Sequence, residues 1–226
     1  MFKSGKISIA VVSLFLLVTF TLGYVSCTQM YPSGKWRYKI TVNVETPEGL
    51  KSGAAVREVT FKSGPKILPD VAGSTSKVTG EAVVIDLGHG KYLFALMDVD
   101  GSYQIVHDIF PYEASSPRNY IEYYQSLTGQ KKALSPSQYP LLVTFADIKD
   151  PKTVKKVSSN DLSKAFGQGI VLKDMTLEMT DENLTFKIEG WLTWLLNLKS
   201  NIDGTFVTTS RDLSNTLHVG NFKRGE

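Results

Sequence analysis

WRYKITVNVETPEG, residues 36–49, decides the fold. Trp36, Tyr38, Ile40, Val42 and Val44 alternate with Arg37, Lys39, Thr41 and Asn43. A period of two puts one set of side chains on each face of a strand, so one face is buried and the other is wet. Pro47 presets φ for the first corner of a turn and Gly49 closes it, which suits a type I turn. A second strand is expected in AAVREVTFK, residues 54–62. Residues 63–80, rich in Gly, Pro, Ser and Thr, are expected to be a loop. EAVVIDL (81–87) and KYLFALMDV (91–99) flank GHG (88–90), a hairpin signal. Both runs are apolar at consecutive positions, so both are expected to be covered on two faces.

Further along, residues 114–129, ASSPRNYIEYYQSLTG, predict a helix. Ser116 is its N-cap, Pro117 its first residue and Gly129 its C′ position. Tyr120, Tyr124 and Leu127 share one face, with Tyr123 beside them. YPLLVTFAD (139–147) and KDMTLEMTD (173–181) predict strands. The connection between them, 150–169, is expected to hold a short helix from Asp161 to Phe166, capped by Asn160 and stopped by Gly167. In EGWLTWLLNLKSN (189–201), Trp191, Leu195 and Leu198 form a helical stripe widened by Leu192 and Trp194. Either the stripe packs into the core, or Trp191, Trp194 and Leu195 contact a membrane or partner. GTFVTTS (204–210) is a candidate strand. The sum is an α+β, mainly β fold over 36–226: an antiparallel, β-rich, sandwich-like domain with two or three helices. Without regular strand–helix alternation, a doubly wound sheet is disfavoured.

Ahead of this body lies a different kind of segment. Residues 1–6 are polar with two lysines, and residues 7–26 carry no charge. Twenty helical residues span about 30 Å, the thickness of a bilayer core. The lysines favour a cytoplasmic N-terminal end, which places the rest outside. Lys35, Arg37 and Lys39, beyond the run, reduce that asymmetry. Residues 7–27 are therefore expected to be a transmembrane anchor or a lipoprotein signal, and 28–35 a linker. GYVSC, residues 23–27, has the small residue and the cysteine of a lipobox, with Cys27 the lipid-attachment candidate. Tyr24 stands where that motif has an aliphatic residue. Ordinary signal cleavage is the third reading.

Composition narrows the function classes. The chain has 226 residues, a formal net charge of +3 and one cysteine. Scattered basic residues argue against nucleic acid, and pairs such as Lys131-Lys132 and Lys155-Lys156 are expected to be solvated surface. One cysteine excludes an internal disulfide framework and a cysteine-based zinc site. No cofactor or metal is expected. His89, His107 and His218 have no metal-ligand spacing. His89 is expected to be an exposed turn residue. His107 and Asp108 would point to opposite faces of a strand. No nucleophile elbow or phosphate-binding glycine loop occurs. DVDGS (98–102) begins like a calcium loop, but Ile109 stands where the acidic twelfth ligand belongs. Carboxylates such as Asp147, Asp150, Asp174 and Glu182 would have to pair in space to serve glycoside hydrolysis.

RYKITVNVETPEGLKSGAAVREVTF resembles the opening of a family of uncharacterised proteobacterial envelope proteins, in which an anchor or lipoprotein signal precedes such a strand. LFALMDVD, FADIKDPKTVKKVSSNDLSKAFG and MTLEMTDENLT resemble later blocks of that family. The resemblance implies an envelope location and carries no catalytic residue. VNVETPEGLKSGAAV with GEAVVIDLGHGKYLFAL is also similar to the strand–turn pattern of transthyretin-like and immunoglobulin-like sandwiches. The expected function is an envelope-anchored, non-enzymatic binding or structural protein, with the membrane and an envelope protein as partners. The alternative is an exported hydrolase using carboxylates, His107 or His218.

Overall fold

The structure, a computed structural model, describes residues 17, 31–65, 73–97, 104–208 and 210–225. It is β-rich, with two antiparallel sheets. The first has the strand order β10 (Lys223–Arg224), β3 (Ser74–Glu81), β2 (Gly49–Ser63), β1 (Ser33–Thr46), β9 (Val171–Thr180), β6 (Lys131–Ala133); the second has the order β4 (Val83–Asp86), β5 (Tyr92–Ala95), β7 (Leu142–Phe145), β8 (Val154–Val157).

β1 (Ser33–Thr46) and β2 (Gly49–Ser63) form a long hairpin turning at Pro47-Glu48, with Thr46 opposite Gly49. The alternation anticipated for β1 holds: Trp36, Tyr38, Ile40, Val42 and Val44 are all buried. β9 (Val171–Thr180) lies on the other side of β1 and buries Met175, Leu177 and Met179 on the same face. β6 (Lys131–Ala133) pairs with β9 at the edge. β3 (Ser74–Glu81) pairs with β2, so part of the expected 63–80 loop is strand. Its serines and threonines hid it; Val78 is its single large apolar side chain, and it is buried.

At Ala82 the chain leaves the first sheet and enters β4 (Val83–Asp86) of the second. Strands that change sheet make the corners of sandwiches. Arg57, buried and pointing inward from β2, ties this corner: its Nε donates to the Glu81 carbonyl at 2.9 Å and a terminal nitrogen to the Leu96 carbonyl at 3.5 Å. Glu81 extends the tie, its carboxylate accepting the amides of Lys187 and Ile188 at 2.6 and 2.8 Å. Where β4 crosses the inner face of β2, Gly53 lets the backbones meet, because a Cβ there would overlap the Val84 carbonyl.

β4 and β5 (Tyr92–Ala95) form the expected hairpin around residues 88–90. β7 (Leu142–Phe145) and β8 (Val154–Val157) complete the second sheet. Both faces of that sheet are covered. Val83, Ile85, Leu93 and Ala95 join β1, β2 and β9 in the main core. Phe94, Leu96 and Val143 face the other way into a second cluster, built with Ile188, Leu192, Trp194, Leu195, Ile202, Leu217 and Phe222 of the C-terminal segment.

Four short α-helices complete the described chain: α1 (Gln104–Ile109), α2 (Pro117–Ser126), α3 (Ser163–Phe166) and α4 (Leu213–Thr216). In α2, Ser116 caps the helix by accepting the Asn119 amide, and Pro117 opens it as expected. The cap at its other end is Leu127, so Gly129 falls one position beyond the expected C′. Tyr124 is buried, stacks on Trp36 at 4.9 Å and donates to the Phe110 carbonyl at 3.0 Å.

Other local expectations also fail. Residues 189–201 are not an α-helix but two 3-10 turns, Ile188–Gly190 and Thr193–Leu196. Their apolar side chains fit a second sheet whose outer face needs a cover, and packing overrides the helical stripe. The described residues of GTFVTTS form a loop rather than a strand: Asn215 donates to Asp203 and Thr205, and Phe206 is left exposed. Residues 104–109 are helical, so the strand argument about His107 and Asp108 does not apply.

Candidate functional site

A groove of about 860 Å³ opens beside β7 and β8. Local sequence signals build its walls. Asp150 accepts the Lys152 amide at 2.9 Å, Pro151 opens a 3-10 turn, and the Thr153 hydroxyl sits between the carbonyls of Asp147 and Asp150. This loop sets the β7–β8 register, Thr144 opposite Lys155 and Leu142 opposite Val157. On one side, Ser135 and Gln138 cap each other around Pro136, which presents Tyr139 and Pro140 to the groove. On the other, β8 runs into a tight turn at Ser158–Asp161 and then α3. Leu162, not Asn160, is the N-cap residue of α3, and the Asp161 carboxylate accepts the Lys164 amide at 3.2 Å. Lys91 holds the far end, its ammonium donating to the Phe166 carbonyl at 2.6 Å.

The groove is unbalanced in charge. Lys155, Lys156 and Lys164 line it with Ser158 and Ser159, against the single carboxylate of Asp161. None of these lysines joins an ion pair among the described residues. The outer face of the first sheet behaves oppositely. There Lys35 and Arg37 share Glu58, and Lys39 and Lys131 meet Glu178. Lys39 also bonds Glu182, and that bond above all holds its pKa above the ordinary lysine value. Charges on that face neutralise one another, whereas those of the groove remain available to an anionic ligand.

The residues singled out from sequence do not converge. Cys27 and, apart from Leu17, the uncharged run lie outside the described residues, as does DVDGS. Trp194 and Leu195 are buried in the second cluster; Trp191 is 39% exposed, its ring 5.0 Å from Tyr92. His107 lies on α1 and His218 precedes the turn Val219–Asn221. No hydrogen bond or ion pair joins either imidazole to a carboxylate among the described residues. His89 is the exposed turn residue expected, at a left-handed φ of 53°, and it meets Glu48 at 2.7 Å. Asp147 and Asp150 are taken up by turn amides, and Asp174 by Asn43. Among the described residues no group of three or more His, Cys, Asp or Glu could hold a metal ion. Likewise, none of their helices is long and apolar enough to cross a membrane.

What the sequence reading missed is β8 itself, placed inside a connection with Lys155-Lys156 as plain surface. The signal was present: VKKV sets two valines three positions apart around two lysines. A terminal strand carries such a pattern, since edges are guarded by lysine. Lys132 also departs from expectation, its ammonium donating to the Ile109 carbonyl and lying 4.6 Å from the Phe110 ring centre. Comparison with protein-family models, with curated proteins and with solved structures returns no match.

Proposed function

We propose that this chain is a membrane-tethered, non-enzymatic binding protein, held outside the cytoplasm by its N-terminal segment and engaging an envelope protein through the β8 groove. The observation that carries the binding reading is that three lysines, none of them ion-paired among the described residues, line one partly apolar groove at β8. Binding sites combine an apolar lining with a few polar groups placed to orient a ligand. The tether rests on the uncharged twenty-mer, which is long enough to cross a bilayer as a helix. Membership of the envelope family that RYKITVNVETPEG resembles belongs to the same proposal.

Site-specific photo-crosslinking in intact cells tests the groove. A photoreactive side chain replaces Ser158 on the groove rim or, as a control, Thr75 on the outer face of the first sheet. A discrete adduct is expected from position 158 only, lost when Lys155 and Lys156 are both changed to Glu. Equal labelling from both positions, or none from 158, would overturn the reading. Metabolic labelling with a fatty-acid analogue distinguishes lipidation of Cys27, abolished by Cys27→Ala, from an uncleaved helix. Recovery of the intact chain wholly in the soluble fraction would remove the tether.

A further inference from the structure

We infer that the groove's ligand is an extended acidic polypeptide segment that adds to the second sheet as a fifth strand along β8. This deepens the binding reading above and rests on it. β8 is the last strand in its sheet. Its backbone phase follows from the bond between the Ala146 amide and the Thr153 carbonyl. In an antiparallel ladder, bonded pairs alternate with unbonded ones, so Lys155 and Val157 turn their backbone groups toward β7. Those of Val154 and Lys156 turn outward; the Val154 amide is taken by the Pro151 carbonyl, whereas no protein group among the described residues bonds to the Lys156 amide. An extended peptide would satisfy the Lys156 amide by strand addition, in which main-chain bonds give affinity and alternate side chains give specificity.

Side chains around the edge state which peptide fits. Lys155 and Lys156 are adjacent, so they project to opposite faces of the sheet, and Lys164 stands across the groove on α3. Carboxylates of an added strand would meet ammonium groups on both faces. Tyr139, Pro140 and Leu141 supply an apolar wall for side chains between the acids. A free inorganic anion would leave that wall and the outward amide unused, and the groove is far larger than such an ion. The same lysines turn away basic and apolar strands, which is how an open edge avoids indiscriminate pairing.

The test uses the full-length chain in detergent micelles and a fluorescein-labelled nonapeptide of alternating Glu and Val, read by fluorescence anisotropy. Three comparison ligands are the same peptide with alternate amides N-methylated, a Lys-for-Glu version, and inorganic phosphate as competitor. The acidic peptide is expected to bind, and N-methylation to weaken it at least about tenfold, because it removes strand donors while keeping charge. Lys155→Glu with Lys156→Glu is expected to weaken binding by about tenfold or more, and Lys164→Gln alone by about threefold. Circular dichroism checks that each variant is folded, and Lys164→Gln serves if the double variant is not. Binding of the N-methylated peptide within about twofold would overturn strand addition in favour of bare charge attraction. Displacement by millimolar phosphate, equal binding of the Lys peptide, or no binding of the acidic peptide would each overturn the inference. A groove-specific crosslink from position 158 alongside such a failure would leave the binding reading intact and refute only the acidic strand.

Discussion

The two sheets differ in how they meet water. The first has long strands, one buried face and one charged, wet face, and its covering is its own partner sheet. The second has four-residue strands and two buried faces, one of them roofed by irregular chain from Ile188 to Phe222. A sheet that is half wet can be specified by alternation alone. A sheet covered twice depends on elements elsewhere in the chain, and here the roof comes last in sequence.

That difference is breakable, most forcefully at Phe222. This ring is fully buried, contacts Phe145 and Trp194, and its carbonyl accepts the Ala82 amide at 2.7 Å. Phe222→Ala is expected to cost about 4 kcal/mol, the usual loss for a buried ring. Hydrogen exchange should show residues 188–222 losing protection before β1 does. Equal loss in β1 would mean that roof and sheets open as one unit.

Gly53→Ala attacks the contact between the sheets. Its methyl group meets the backbone of Val84 rather than a movable side chain, and an overpacking cost of about 3 kcal/mol is expected in chemical denaturation. A neutral result would show that the sheets slide past each other easily. Tyr124→Phe removes one buried hydrogen bond to the Phe110 carbonyl and should cost about 1 kcal/mol, leaving the ring stack on Trp36 intact. Thermal melts would register it, and a larger loss would indicate that the hydroxyl organises more than this one bond.

The smallest effect belongs to the wet face. Burial pushes the Glu58 carboxyl up, but hydrogen bonds and charge from Lys35 and Arg37 outweigh it and hold the carboxyl below its ordinary value. A depressed carboxyl contributes stability above the unfolded pKa of about 4.3 and loses it as pH falls through the folded value. Glu58→Gln should therefore be less stable at neutral pH by at most about 1 kcal/mol, with the gap closing as the pH falls through the folded value. A gap that persisted in acid would assign the loss to packing instead of charge.

Legibility followed the same division. β1, β2 and β9 could be read because Trp36 to Val44 and Met175 to Met179 face a single core. The β4–β5 hairpin could be read as doubly covered because Leu93 and Phe94 are consecutive and both apolar, and both are buried. β3 escaped because the partner strand β2, rather than its own side chains, makes it extended. The Trp191 segment showed a helical stripe, yet its residues fold as 3-10 turns dictated by the surface they cover. The groove was illegible for a related reason: Tyr139, Lys155 and Lys164 are neighbours only through the β7–β8 register and the turn at Ser158–Asp161, neither of which has a sequence period.

β1 follows directly on the N-terminal segment and lies inside the first sheet, held by β2 on one side and β9 on the other along most of its fourteen residues. Its ladder bonds run perpendicular to the strand. Tension entering at Ser33 along the strand axis would load those bonds in shear, so that they yield together and not one after another. Were the proposed tether to pull on this body, it would load first the strand that two neighbours clamp.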